Sequence, residues 1–206
     1  MSPYKSDLLL LGIATVALFL SRHWFESSMA LHMAVQIPLL AGLGGLLLHR
    51  LCRRYSGLRQ WGQRYRSSLL LFALFTLGLW MLPRMLDAAL HEPLFALGKW
   101  LSLPLAGMAL LLSWQHLPFV LRGVLHIEAL ATVLRLGWLY LIAPQRYCVS
   151  YLIDEQQLLG YVLLAYGLVY AVALTGVVMV GRPPVVSQRR GGVSPEPATH
   201  TTTGGG

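Results

Sequence analysis

Residues 157–180 read QLLGYVLLAYGLVYAVALTGVVMV, an unbroken run without a charged side chain. An α-helix rises about 1.5 Å per residue, so about 20 apolar residues cross the roughly 30 Å of bilayer hydrocarbon. The run is therefore read as a transmembrane helix. Working back towards the N-terminus, five more apolar stretches fall at roughly 7–24, 29–48, 67–86, 95–114 and 123–143. Composition agrees: 56% of the 206 residues are hydrophobic and 12% are charged, against about 45–50% and about 25% in soluble domains. That balance excludes an ordinary soluble domain, and it excludes disorder over most of the length. The expected fold is all-α: a polytopic membrane protein, a bundle of about six transmembrane helices. Helices are required because lipid offers no partners to backbone polar groups.

Charge sets the expected orientation. Segment 49–66, HRLCRRYSGLRQWGQRYR, carries Arg50, Arg53, Arg54, Arg59, Arg64 and Arg66 and no acid, and the tail adds Arg182, Arg189 and Arg190. The positive-inside rule puts both on the cytoplasmic side, which six spans with both termini cytoplasmic satisfy. The opposite loops are nearly balanced, with Arg22/Glu26, then Arg84/Asp87/His91/Glu92, then Arg146/Asp154/Glu155. The net charge of +8 is thus read as an orientation signal, and no nucleic-acid partner is expected. The chain divides into a transmembrane domain, 1–182, and a cytoplasmic tail, 183–206, whose Pro, Gly, Ser and Thr content predicts disorder.

The first stretch is the shortest, with its apolar run at 8–20 behind Lys5. It has the look of a signal-peptide core, but no small-x-small cleavage site precedes Ser21, so it is read as a retained span. Cys52 falls in the inner loop and Cys148 in an outer one, so they are not expected to pair. Gly42–Gly45, G-L-G-G, reads as a close helix approach. No internal repeat, Walker loop, dinucleotide fingerprint or nucleophile elbow is present, and no enzyme chemistry is expected.

This topology gathers distant positions at the outer face. Met29 and Met33 are four apart, as are Met81 and Met85, and His32 follows Met29 by three, so each set shares a helical face. Asp154 starts the last span at the same face. Thioether with imidazole is a donor set that suits Cu(I). Methionine is also a common filler of apolar cores, and both readings stay open. A second histidine set, His116 and His126, lies towards the inner face and points to haem b ligation with a partner from another span, such as His49. Lys99, Glu128 and Arg135 fall inside predicted spans. Lys99 is near enough to a helix end to snorkel, and Glu128 and Arg135, seven apart, are expected to form an intramembrane charge seam.

Three segments carry a resemblance to CtaG-type cytochrome oxidase assembly proteins. His32-Met33-Ala34-Val35-Gln36 resembles that family's H-M-x-x-H. The stretch from Leu79 to Leu90, with Trp80, Pro83 and Ala89-Leu90, resembles its W-H-x-P…A-L. Asp154-Glu155-Gln156-Gln157 to Gly160, then Gly167-Leu168-Val169-Tyr170, resembles its D-Q-Q-x-x-G…G-L-V-Y. Gln36 and Met81 stand where the family has histidines. The resemblance implies a multi-pass inner (plasma) membrane protein, an accessory subunit or assembly factor of a copper-dependent respiratory enzyme. Its outer-face site would be His32, Met29, Met33, Met81, Met85 and Asp154, and its partners would be subunits of the respiratory complex within the bilayer. Two other readings remain: a b-type haem electron-transfer subunit, and a purely structural subunit with no cofactor.

Overall fold

The computed structural model describes residues 3–143 and 151–180, and every regular element among them is helical. Helix α1 spans Pro3–Leu20 and is followed by a single turn, α2, Arg22–Phe25. The second apolar stretch starts as α3, Met29–Leu31, winds as a π-helix over His32–Gln36, and continues as α4, Ile37–Arg54. Helix α5, Ser56–Arg64, carries part of the arginine-rich segment. Then come α6, Arg66–Trp80, α7, Pro83–His91, α8, Pro93–Trp114, α9, Phe119–Ile142, and α10, Ile153–Val180. Among the described residues three stretches are long and apolar enough to cross a membrane: Met29–Cys52, Pro93–Trp114 and Ile153–Val180. A fourth is the pair α6 and α7, taken together.

That pair corrects the reading of 67–86 as one helix. The chain bends by 72° between α6 and α7. Pro83 has no N–H to continue the ladder, and it forces Leu82, before it, out of the helical region to ψ 125°. Proline then serves as a pre-shaped first residue of α7.

Helix α8 is the central element, packed on α4, α6 and α7. Its crossing with α4 is close because both surfaces lack side chains there. A Cβ on Gly44 would lie 1.9 Å from the Pro104 carbonyl oxygen, and one on Gly107 would lie 1.8 Å from that of Ala41. Gly44 thus bears out the packing role expected of the glycine run, whereas Gly42 has nothing within 4 Å. Helices α9 and α10 form a separate hairpin. They too approach through glycines, since a Cβ on Gly160 would lie 3.0 Å from the Gly137 carbonyl oxygen. Helix α10 also packs against α3 and the π-helical turn, and this joins the hairpin to the bundle.

Cys52 is half-buried. Cys148, Arg146 and the tail at 183–206 lie outside the described residues.

Candidate functional site

The core draws on α3, the π-helical turn, α7, α8, the end of α9 and the start of α10. Met29, Met33, Ile37, Trp80, Leu86, Leu103, Tyr140, Tyr151 and Leu159 are buried there in one contiguous cluster. Met81 and Met85 pack against it, half-buried. Of the four methionines of the expected site, Met29 and Met33 are in this cluster and Met81 and Met85 line it, while His32 is fully buried and bonded to the cluster's Tyr151. Asp154 is exposed. No group of three His, Cys, Asp or Glu side chains with metal-holding geometry occurs among the described residues.

Within this apolar setting lies a polar network centred on Lys99. The lysine was expected to snorkel; instead it is fully buried. Its Nζ donates to Glu26 Oε1 at 2.8 Å, lies 2.9 Å from His32 Nε2, and donates to Gln36 Oε1 at 3.3 Å. An ammonium has three protons and no acceptor, so three neighbours satisfy it completely. That is the physical reason it stays inside. Snorkelling gives a charge water at a helix end, whereas here a carboxylate balances the charge and an imidazole and an amide complete the shell. Glu26 reaches in from the turn after α2, with its side chain 18% exposed.

Tyr151 donates its hydroxyl proton to the Glu26 carbonyl at 2.9 Å. Towards His32 Nδ1, 3.0 Å away, the same oxygen therefore accepts. Nδ1 carries the imidazole proton, and Nε2 is left as the acceptor for Lys99. His32 and Gln36, both fully buried, are four apart and open and close the π-helical turn. Such turns are uncommon and recur at functional sites.

Further polar contacts fasten the surrounding elements. Ser28 donates to Glu155 Oε2 at 2.5 Å, Gln156 Nε2 to the Tyr140 carbonyl at 3.4 Å, and Trp80 Nε1 to Ser102 at 2.7 Å. The Tyr140 hydroxyl lies 3.9 Å from Met33 Sδ. Glu26, Gln36, Lys99 and Tyr151 are the members that sequence reading missed as site residues. Only an intramembrane lysine signalled one of them, and its carboxylate lies 73 positions away.

The other singled-out residues sit elsewhere. The His126 imidazole Nδ1 is hydrogen-bonded to the Tyr170 hydroxyl, and its ring meets Trp114 edge-on at 5.0 Å between centroids. His116 Nε2 is buried with no hydrogen-bond partner among the described residues. Arg135 Nη1 donates to Glu128 Oε1 at 3.2 Å, so the two meet directly across two turns of α9. Their side chains are 71% and 62% exposed, on an open face of that helix.

Do these side chains fit a copper ion? A metal bonded to His32 Nε2 would have to take the place of the Lys99 ammonium, which holds that lone pair, and no cation gains from an ammonium beside it. As arranged, the cage around His32 does not fit resident copper. It is a hydrogen-bonded cage with a lysine as its cation. No family model matches the chain, and neither does any curated protein or solved structure.

Proposed function

We propose that the chain is a CtaG-like accessory subunit or assembly factor of a copper-dependent respiratory membrane enzyme, with no bond chemistry of its own. It would lie in the inner (plasma) membrane as six spans with both termini cytoplasmic. One observation carries the reading. The three segments that resemble the family, at 32–36, around Trp80 and at 154–160, lie far apart in the chain and converge on one core through His32, Gln36, Trp80, Gln156 and Leu159. In this reading Lys99 supplies the positive charge of the site, so the protein acts by holding a partner and hands over no metal of its own.

The test is purification from native membranes in mild detergent, with metal analysis and identification of co-purifying subunits. Subunits of a copper enzyme, with no copper bound to the separated chain, support the proposal. Stoichiometric copper on the separated chain contradicts the closed cage. A copper-free set of partners contradicts the respiratory assignment. A b-type haem subunit is the second reading, favoured by the buried, unpartnered Nε2 of His116. A Soret band in the purified protein would establish it in place of the first.

A further inference from the structure

We propose that the α9 face bearing Glu128, Thr132 and Arg135 is a docking surface for a transmembrane helix of a different protein, one that presents amide or hydroxyl side chains to this ion pair. The inference rests on the membrane reading above and adds the place and chemistry of the contact.

Depth is the first argument. On the six-span reading α9 crosses the bilayer, and Glu128 and Arg135 then lie about 13 and about 24 Å along its length of about 36 Å, inside the hydrocarbon. Charged groups at such depth face protein or water, because lipid offers no hydrogen bonds. Yet both side chains are more than three-fifths exposed. Arg135 uses one of its five donors, on Glu128, and the same Glu128 oxygen accepts from Thr132 at 3.5 Å. Among the described residues, four guanidinium donors and the other carboxylate oxygen meet no hydrogen-bond partner. Val124 and Leu121, exposed on the same face, extend the strip towards the N-terminal end of α9.

Charge then selects the occupant. Two copies inserted in the same orientation would bring Glu128 opposite Glu128 and Arg135 opposite Arg135 at equal depth, which is repulsive, so a second copy is the wrong partner. Within one chain the pair is already neutral. A charged partner side chain would leave a net charge in the membrane, whereas Asn, Gln, Ser, Thr or Tyr would accept from Arg135 and donate to Glu128 without one.

The experiment places a photoreactive benzoylphenylalanine at Thr132, and separately at Val124, in the full-length chain in its native membranes, with a control at Val169 on exposed α10. The expected result is a discrete protein adduct from positions 132 and 124 and none from 169. The adduct should map to a transmembrane helix with an amide or hydroxyl residue at that depth, and its yield should fall at least fivefold in Arg135→Leu. Arg135→Lys, which keeps the charge but loses the planar donors, guards against misfolding and should also lower the yield. Lipid adducts alone, adducts joining two copies, or a mapped partner segment without such residues would each overturn the proposal. A qualifying partner from outside any copper enzyme would uphold this surface and contradict the respiratory assignment.

Discussion

Two acid–base pairs among the described residues, each with its base on a long helix, lie in opposite surroundings. Lys99 meets Glu26 at 2.8 Å with the lysine fully buried, whereas Arg135 meets Glu128 at 3.2 Å with both side chains largely exposed. The first pair joins segments 73 residues apart and draws in His32, Gln36 and Tyr151, so each ammonium proton has a neighbour. The second stays on one helix and leaves most of its hydrogen-bonding capacity outward. The difference separates two uses of a charge on a long apolar helix. A pair satisfied by its own chain ties that chain together; a pair left open keeps hydrogen-bonding capacity for another surface.

The sharpest way to break this contrast is to remove the lysine. Lys99→Met leaves Glu26 facing the core and frees His32 and Gln36 of their donor. Taking one partner from a buried ion pair costs about 3–5 kcal/mol. Thermal unfolding of the detergent-solubilised protein should fall accordingly. A loss below about 1 kcal/mol would mean that the network holds nothing together. Packing beneath the network comes next. Gly107→Val would drive a side chain into the Ala41 carbonyl, and overpacking of this kind costs about 1–3 kcal/mol. The same change at Gly42, with open space around it, should be near neutral. Smaller still, Trp80→Phe loses the bond to Ser102 and should cost about 1 kcal/mol. If Trp80→Phe cost as much as Lys99→Met, the polar network would have no special place in the core.

Much of the helical plan was legible in the sequence because apolar runs and span length are local properties. Pro83 was legible too: a proline behind Leu82 is a stop signal, and reading through it merged α6 with α7. The site was legible only in part. His32, Met29, Met33, Met81 and Met85 were singled out; Met29 and Met33 lie in one buried cluster, Met81 and Met85 pack against it, and His32 is fully buried. Gln36 was read as a missing histidine, but its role is visible only beside Lys99, whose ammonium its amide oxygen accepts. Lys99 looked like a helix-end lysine because nothing in the residues around it reveals that Glu26 reaches it. Glu128 and Arg135, seven apart, were read as sharing a polar seam, and they meet directly. Which way they face depends on α10, which covers Gly137 and Tyr140 and leaves the charged side open.

The central claim is that the first pair completes this chain and the second awaits another. Parallel double-mutant cycles on the isolated, detergent-solubilised protein test it most directly, one with Lys99→Met and Glu26→Gln, the other with Arg135→Gln and Glu128→Gln. Coupling energy from unfolding isolates each pairwise term. The account predicts coupling of at least about 2 kcal/mol for Lys99–Glu26, and less than about 1 kcal/mol for the exposed Arg135–Glu128. Equal couplings, or the reverse order, would contradict it.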